Sequence, residues 1–419
     1  MGIGFICLSA SLLLMGLQVF WACRFALRYP PRPTNRTDDQ LPPATVLLCI
    51  RGLDPSLRDC LNGLFHQDYP QYDICVILDS PEDPASELVS QMQQARTGRP
   101  AVKVCALRER HETCSLKVSA LVQAIRELKP STEVVVLIDA DVVPYRHWLR
   151  DLVRPLASPG VGATCGVRWY VPYGNSSWGT LVRSLWNAVA CTQMAALHIP
   201  WAGSMAFRAE LFRQSELLDR WARSLVEDAV TYRVLRSLGL DLCLVPEGTM
   251  VSHEPIGLNN SFRFIRRQLL NTRLYHESWL VIVAVSIGTP LTLGGAVWAA
   301  TRELWSGQGL LAAGVGIALA AFLVGMAFAL SWTDRQINHL VQARGGFSYP
   351  YPWRMLLAGL PTQTVHLASL LAASFARKVE WRGITYEVSG TGRVRLLEYR
   401  PYQRTIPAPR VNAAGVRRG

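Results

Sequence analysis

The amino-acid sequence predicts an α/β protein with a mainly parallel sheet, carrying membrane helices before and after the α/β part. Two observations support this fold class. Between residues 44 and 138, short apolar runs alternate with helical stretches, a pattern typical of parallel strands joined by helices. In addition, residues 2–23, 279–301 and 309–332 contain no charged side chain. Each of these stretches is long enough to cross the hydrocarbon core of a bilayer, which needs about 20 apolar residues.

These patterns divide the chain into segments. We predict a membrane anchor (1–23), a proline-rich linker (24–43), an α/β domain (44–258), an amphipathic helix (259–276), two membrane helices (277–332), a polar loop with a third apolar segment (333–376) and a basic tail with a short hairpin (377–419). Arg24 and Arg28 follow the first segment where a cleavage site would stand, so we interpret it as an uncleaved anchor. The third C-terminal segment is interrupted by Pro361, Gln363 and His366, so a re-entrant, an interfacial and a spanning position all remain open.

The formal net charge of +12 is concentrated beside the apolar segments. This distribution fits the positive-inside rule and an attraction to anionic lipid headgroups. We exclude nucleic acid as a partner, because no nucleic-acid-binding motif accompanies the charge. The ten cysteines form neither a C-x-x-C pair nor a zinc-binding pattern, which predicts a reducing, cytoplasmic environment for the α/β domain.

Acidic side chains follow two of the predicted strands. Asp139 and Asp141 come directly after the apolar run 134–138, and Asp79 follows the run 72–78. Ligands of parallel sheets bind beyond the carboxyl ends of the strands, so we expect these carboxylates to face one ligand. A divalent metal with a phosphorylated ligand would compensate their charge, since hard cations prefer such oxygens. Turn formation by aspartate is the alternative. Neither a G-x-G-x-x-G nor a P-loop motif follows these strands.

Five segments resemble, in this order, the nucleotide-sugar-binding domain (GT-A fold) of inverting family-2 glycosyltransferases. The closest similarity is to the ceramide-glucosyltransferase-like members, which make glycolipids. The segments are Asp79, Cys-Ser-Leu-Lys117-Val-Ser-Ala-Leu, Asp139-Ala-Asp141, residues 201–212 and residues 226–230. The resemblance extends over roughly residues 44–280 and implies a metal-dependent hexosyltransferase that uses a nucleotide-sugar donor.

The resemblance also implies how a UDP-sugar would be bound. Asp79 would contact the uridine, with Lys117 nearby, while Asp139 and Asp141 would bind the diphosphate through Mn²⁺ or Mg²⁺. Asp141 is the expected direct metal ligand. A metal suits this chemistry, because the diphosphate gains negative charge as the sugar departs. His253, which follows a predicted strand pair, is a further candidate beside the diphosphate and metal, although a lone histidine is more often structural.

Two further segments have implied roles. Asp228, with Glu227 as its neighbour, would act as the general base that removes the proton of the acceptor hydroxyl. The alternative is that both acids stabilise the start of a helix through its dipole. Gly203 and Ser204 precede a predicted helix at 209–218 and resemble the loop that contacts the donor sugar and the acceptor; a plain helix-entry loop is the alternative.

Residues 260–275 alternate apolar and arginine side chains, which predicts a helix lying in the membrane interface. Family members carry [Q/R]-x-x-R-W here, and this motif binds donor and acceptor. The stretch aligned with it runs from Arg267 to Asn271, so the first position is retained and the Arg-Trp pair is absent. This departure disfavours processive polysaccharide synthesis. Residues 378–386 resemble a Trp-Arg-Gly-x-x-Tyr element of related transferases and are predicted to form an amphipathic hairpin at the headgroups.

The resulting hypothesis is a membrane-bound inverting transferase that moves a sugar, preferably glucose from UDP-glucose, to a lipid such as ceramide or diacylglycerol. The basic helix would hold the domain against anionic lipids on the cytoplasmic face of a bacterial cell membrane. A polysaccharide synthase, which would give a polymeric product, is one alternative. A non-catalytic membrane scaffold that retains the transferase fold is the other.

Overall fold

The computed structural model describes residues 2–27, 41–96, 98, 100–172, 176–342 and 352–402. Most of the predicted linker, the loop at 343–351 and the tail beyond residue 402 lie outside the described residues. Strands and helices alternate along the first part of the chain: α1 (Gly2–Ala26), β1 (Ala44–Ile50), α2 (Leu57–Phe65), β2 (Tyr72–Leu78), α3 (Ala85–Gln94), β3 (Ala101–Ala106), α4 (Leu116–Arg126) and β4 (Val134–Ile138).

Shorter elements follow and complete the α/β domain. They are α5 (Trp148–Val153), β5 (Val161–Cys165), β6 (Arg168–Tyr170), α6 (Trp178–Leu197), β7 (Ser204–Arg208), α7 (Glu210–Gln214), α8 (Leu217–Trp221), α9 (Asp228–Ser237), β8 (Asp241–Leu244) and β9 (Met250–Ser252). The prediction of a loop at Ser204 and one helix over 209–218 is wrong. Ser204 begins a strand that pairs with β4, and two short helices follow it.

Seven strands form the main sheet in the order β3-β2-β1-β4-β7-β5-β8. Only β7 runs antiparallel to its neighbours in this sheet, and the other pairs are parallel. The central strand β4 shows why the sequence forms such a sheet. Val135 and Leu137 pack into one apolar cluster, while Val134, Val136 and Ile138 pack into a second cluster. Because successive side chains of a strand point to opposite faces, both faces of the sheet are covered. The α/β class with a mainly parallel sheet is confirmed.

The C-terminal part contains long helices followed by a small sheet: α10 (Leu258–Tyr275), α11 (Trp279–Trp305), α12 (Gly309–Gln342), α13 (Pro352–Leu357), α14 (Gly359–Ser374), β10 (Lys378–Trp381), β11 (Ile384–Gly390) and β12 (Arg393–Glu398). Two helices, Trp279–Trp305 and Ala312–Gln342, are long and apolar enough to cross a membrane. The third C-terminal segment divides into α13 and α14, and α14 packs against α6 and α10.

The outer surface of these long helices is apolar. Leu280 and Leu291 of α11 and Leu310 and Ile317 of α12 are between 67% and 93% exposed. Each such side chain would cost about 1.5–3 kcal/mol if it stayed in water instead of being buried. A contiguous apolar surface of this kind marks a membrane or a partner, and the helix lengths fit a bilayer. α1 packs against both α11 and α12.

The C-terminal strands correct one expectation. The sequence predicted a short hairpin at the lipid headgroups, whereas β10, β11 and β12 form a three-stranded antiparallel sheet. Ile384, Tyr386 and Val388 of β11 are at most 2% exposed and belong to the core cluster of the α/β domain. The Tyr386 hydroxyl accepts a hydrogen bond from the Leu116 backbone N–H at the start of α4. The sheet therefore packs on the α/β domain.

Candidate active site

A cavity of about 1350 Å³ begins at the carboxyl ends of β1, β2 and β4 and extends between the C-terminal helices. Except for Ser204 and His253, every site residue predicted from the sequence lines it: Asp79, Lys117, Asp139, Asp141, Gly203, Glu227, Asp228 and Arg267. β1 lies between β2 and β4, so about 10 Å separates the strand ends that carry Asp79 and Asp139. The two ends of the cavity differ chemically, because one is lined by carboxylates and the other by apolar side chains of α11 and α12.

Lys117 joins two of the predicted carboxylates. Its Nζ lies 2.6 Å from Asp139 Oδ1 and 2.6 Å from Glu227 Oε1. Burial alone would lower the pKa of Lys117, but the charges of Asp139 and Glu227 outweigh it and raise the pKa well above its usual range. The ammonium therefore stays charged and links the end of β4 to the start of α9. Lys117 is therefore a paired and largely buried lysine, with only 18% of its side chain exposed.

Asp141 is paired with Arg168, a residue that the sequence analysis did not select. Arg168 Nη1 donates to Asp141 Oδ2 at 2.9 Å, and Nη2 donates to the Asp141 carbonyl at 3.1 Å. Burial raises the pKa of Asp141, but the Arg168 charge and hydrogen bond outweigh this effect, so the net pKa is lowered. One sequence signal could have revealed Arg168. It is the only charged residue in the run 161–171.

Asp79 is enclosed by residues from distant parts of the chain. Arg51 donates to its Oδ2, and the Tyr399 hydroxyl donates to the same oxygen at 3.0 Å. Asp79 Oδ1 is buried without a hydrogen-bond partner among the described residues. Burial raises the pKa of Asp79, and the Arg51 charge offsets part of that rise. An unpaired buried carboxylate oxygen is costly, which marks this position as one prepared for a polar ligand.

Asp228 begins α9 and lines the cavity beside Ala202. Its Oδ2 accepts from the Ala202 backbone N–H at 3.3 Å, and its Oδ1 accepts from the Ala229 N–H at 2.6 Å. Burial, together with the negative charge of Glu227, raises the pKa of Asp228 to about 7. A carboxylate with such a pKa can both take up and release a proton near neutral pH.

Gly203 lies where no side chain would fit. An added Cβ would come within 2.0 Å of the Trp201 ring and 2.6 Å of Asp139 Oδ2. The glycine therefore allows the Trp201 indole and the Asp139 carboxylate to approach the same backbone position. Glycine is needed at this position because a side chain would displace the Trp201 ring or the Asp139 carboxylate from the cavity wall.

Ser204 and His253 are the two predicted site residues that the cavity does not include. The Ser204 side chain is fully buried; its Oγ accepts from Trp148 Nε1 at 2.9 Å and donates to the Gly248 carbonyl at 3.0 Å. His253 follows β9, and its Nδ1 lies 3.3 Å from the Val171 carbonyl. Both side chains therefore have structural contacts and do not line the cavity.

Replacing Ser204 by alanine tests its structural role. We expect the free energy of unfolding to fall by about 1–3 kcal/mol, because the buried Trp148 indole N–H would lose its acceptor. The thermal unfolding midpoint of the purified protein in detergent measures this. Ser90→Ala, at an exposed position on α3, is the matched control. A selective loss of nucleotide affinity without loss of stability would contradict this role.

Asp139 and Asp141 supply donors that fit a divalent metal. Their side chains are 25% and 27% exposed, and Asp139 Oδ2 and Asp141 Oδ1 accept no hydrogen bond from the described residues. In the described part of the chain, no group of three or more His, Cys, Asp and Glu side chains could hold a metal ion. The two carboxylates thus suit an ion such as Mg²⁺, which commonly combines one or two carboxylates with phosphate and water oxygens. His253 does not join Asp139 and Asp141 as a third metal-binding side chain.

Arg263, Arg266 and Arg267 of α10 line the cavity. The sequence predicted a donor-binding position for Arg267 and an interfacial position for the helix as a whole. The Arg267 guanidinium lies 5.4 Å from the centre of the Trp381 ring on β10 and 6.0 Å from that of Phe264. Arg266 donates to the Lys378 carbonyl at 3.3 Å. The alternation of arginine and apolar residues thus places cations beside the acidic site.

A family comparison decides what kind of protein this is. The model of the family described as "Glycosyl transferase family 21" matches residues 6–394. The chain belongs to glycosyl transferase family 21. The resemblance to membrane-bound, ceramide-glucosyltransferase-like transferases that the sequence predicted is confirmed at the level of the family.

Two curated relatives of this family 21 protein are ceramide glucosyltransferases. The one from Komagataella phaffii is 35% identical over 57 residues, and the one from Gibberella zeae is 26% identical over 167 residues. These matches cover 14% and 37% of this chain, and 11% and 30% of the relatives. The matched segments therefore span less than a third of either relative.

The chain is also similar, at low sequence identity, to solved structures. A mannosyltransferase from Pyrobaculum calidifontis, in complex with GDP-Man and Mn²⁺, is 20% identical, with a TM-score of 0.48 and coverage of 89% of this chain and 97% of that one. Glucosyl-3-phosphoglycerate synthase from Mycobacterium tuberculosis, in complex with Mn²⁺ and UDP-Glc, is 18% identical, with a TM-score of 0.38 and coverage of 57% and 84%.

In this family 21 glycosyltransferase, the C-terminal sheet contributes to the same cavity. Arg382 is at the tip of the β10–β11 hairpin, where Arg382 and Gly383 have φ angles of +48° and +77°. Such a pair is typical of the two-residue turns that match the twist of a hairpin. Arg382 Nη2 donates to Asp54 Oδ2 at 2.6 Å, and Nη1 donates to the Arg51 carbonyl at 3.0 Å. Sequence reasoning assigned this segment to the lipid surface and so missed its place in the site.

Proposed function

We propose that this protein is a membrane-bound inverting glycosyltransferase that moves one sugar from a UDP-sugar, such as UDP-glucose, to the hydroxyl of a lipid such as ceramide or diacylglycerol. One observation carries the proposal. The cavity runs without interruption from Asp79, Asp139 and Asp228 to apolar side chains of α11 and α12, which are both long and apolar enough to cross a membrane. A polar donor and a membrane-embedded acceptor can therefore meet inside it.

The donor would occupy the acidic end. Asp79, with its free Oδ1, would accept a hydrogen bond from the uridine, and Arg51 would neutralise the charge of Asp79. Asp139 and Asp141 would hold a divalent metal, Mn²⁺ or Mg²⁺, which would neutralise the charge that develops on the diphosphate. Arg263, Arg266 and Arg267 of α10, which line the same cavity, would stabilise the same charge.

The acceptor would enter from the helix end. Apolar residues of α11 and α12, including Val285, Leu293 and Phe322, line that end and suit acyl chains. In the reaction, the acceptor hydroxyl oxygen forms a bond to the anomeric carbon while the bond from that carbon to the diphosphate oxygen breaks. Asp228 takes the hydroxyl proton, and the backbone N–H groups of Ala202 and Ala229 fix the orientation of its carboxylate.

The pKa of Asp228 makes the reaction sensitive to pH. Because the base must be deprotonated and its pKa is about 7, kcat/KM should fall about tenfold per unit as the pH drops below about 7 and should level off above it. Transfer rates measured between about pH 5.5 and pH 8.5 test this expectation. A profile that is flat throughout that range would show that Asp228 does not act as the base.

We propose that the α/β domain faces the cytoplasm of a bacterial cell. Nine of the ten cysteines have side chains that the structure describes, and these nine are all free, which suits a reducing compartment. Accessibility of an introduced cysteine near α3 to a membrane-impermeant thiol reagent, in spheroplasts and in inverted vesicles, tests the orientation. Labelling in intact spheroplasts would contradict it.

A transfer assay tests the function itself. The full chain, reconstituted in liposomes with mixed lipids, is supplied with radiolabelled UDP-glucose, UDP-galactose or GDP-mannose and with Mn²⁺ or Mg²⁺. We expect a monoglycosylated lipid, formed only when metal is present. A polymeric product would support a polysaccharide synthase instead. Absence of metal-dependent UDP binding in calorimetry would support a non-catalytic scaffold.

A further inference from the structure

Three polar side chains form a hydrogen-bonded row in the helix end of the cavity. Trp186 of α6 donates from Nε1 to His366 Nδ1 at 3.0 Å, and His366 Nε2 lies 2.7 Å from Ser286 Oγ. His366 is on α14 and Ser286 on α11, so the row joins three helices. All three residues line the cavity. In the sequence, His366 stood out only as an interruption of an apolar run.

The direction of each hydrogen bond follows from the chemistry of the groups. An indole N–H can only donate, so His366 Nδ1 must accept and carries no proton. The neutral ring then carries its proton on Nε2 and donates it to Ser286 Oγ. The hydroxyl proton of Ser286 has no acceptor among the described residues. The row therefore presents one oriented donor.

The same cavity contains an acceptor atom without a hydrogen bond. Asn187, next to Trp186 on α6, lines the cavity and is 7% exposed, and its Oδ1 is buried without a hydrogen bond from any described residue. A buried polar group without a partner costs about 1–3 kcal/mol. An oriented donor and an unsatisfied acceptor in the same cavity thus point to a ligand that carries both kinds of group.

The row lies close to the reacting end. The Trp186 ring packs edge-on against Phe264, with ring centres 6.0 Å apart, and the Arg267 guanidinium lies 6.0 Å from the centre of the same Phe264 ring. The Phe264 ring therefore separates the row from Arg267, the arginine assigned to the donor. A lipid whose hydroxyl reaches Asp228 would have the atoms next to that hydroxyl near this layer.

We propose that Ser286, positioned by His366 and Trp186, donates a hydrogen bond to an acyl carbonyl of the acceptor lipid and so selects lipids that carry an amide or ester beside the acceptor hydroxyl. This inference rests on the proposed transfer to lipids. Isoprenoid alcohols and ether lipids lack the carbonyl oxygen that this hydrogen bond requires. Ser286 acts as a specificity-determining residue, while His366 and Trp186 are positioning residues that fix its hydroxyl.

Changing the enzyme and the acceptor together tests the inference. The full chain and its Ser286→Ala variant are compared in liposomes with ceramide, diacylglycerol and dialkylglycerol, whose ether linkages lack the carbonyl. We expect Ser286→Ala to raise KM about tenfold for the two carbonyl-bearing lipids, as for the loss of one hydrogen bond, and to leave KM for dialkylglycerol unchanged. Ser286→Thr, which keeps a hydroxyl, should restore most of the affinity.

The controls separate this inference from the proposed function. Thr301→Val, on the same helix and away from the cavity, should leave every KM unchanged. A rise in KM confined to ceramide supports the inference and identifies the carbonyl as an amide. A rise in KM confined to diacylglycerol also supports it and identifies the carbonyl as an ester. An equal rise in KM for dialkylglycerol would overturn it, because that result indicates a packing effect. If the unmodified protein transfers sugar to none of the three lipids, the proposed function itself fails.

Discussion

Replacement of Asp228 by asparagine is expected to lower kcat by about 10²- to 10⁴-fold, the usual contribution of a general base. Asparagine has nearly the same shape, and its side-chain oxygen can keep the 2.6 Å hydrogen bond from the Ala229 N–H. Its amide group cannot take up the acceptor's proton. Initial rates of sugar transfer measure the loss, and calorimetry should find UDP-sugar affinity changed by no more than about threefold, because Asp228 is assigned to the acceptor's proton rather than to the donor.

Asp219→Asn is the matched control, because Asp219 is an exposed acid on α8 and should be dispensable. Full transfer activity in Asp228→Asn would show that another group removes the proton. Glu227, the adjacent acid, would not be the obvious replacement. Its Oε1 is held by Lys117, and the side chain is only 2% exposed.

Replacement of Asp141 by asparagine should remove metal-dependent binding of the donor. Loss of a residue that only supports a metal ligand typically lowers metal affinity 10- to 100-fold, so loss of a ligand itself should cost at least about 100-fold. The variant also leaves the guanidinium of Arg168 without its carboxylate, at a side chain that is only 11% exposed. Calorimetric titration of UDP, with and without Mn²⁺, measures the difference.

For this variant the control is Asp59→Asn, at an exposed position on α2. It should bind UDP as the unmodified protein does. The unfolding midpoint should be recorded for both variants, since the unpaired Arg168 could lower stability independently of metal binding. Unchanged metal-dependent UDP binding in a folded Asp141→Asn protein would exclude Asp141 as a ligand.

Local sequence patterns were sufficient to locate the aspartates that follow β2 and β4 at the acidic end of the site. β4 was predicted within its observed bounds because five consecutive apolar residues, most of them β-branched, suit a strand buried on both faces. Once that strand is located, Asp139 and Asp141 must follow at its carboxyl end. Asp79 follows β2 for the same reason. These inferences require only the periodicity of neighbouring residues.

The other side of the site depends on contacts that no local pattern encodes. Tyr399 reaches Asp79 across 320 residues, and Arg382 reaches Arg51 across 331 residues. The arginines of α10 were recognised from the sequence. Helical periodicity, however, predicts only that they share a face of the helix and not which part of the protein that face contacts. Ser204 was misassigned because one glycine before a short apolar run fits a loop as well as the edge of a strand.

The position of Tyr399 has a consequence for biosynthesis. The ribosome makes the residues that follow β1, β2 and β4 first, then the long apolar helices α11 and α12, and only then the C-terminal sheet, whose turn contains Arg382 and whose last strand is followed by Tyr399. A nascent chain therefore has an incomplete donor pocket until its hydrophobic helices have left the ribosome and can enter the bilayer. The order of elements along the polypeptide therefore makes completion of the cavity depend on prior synthesis of both long apolar helices.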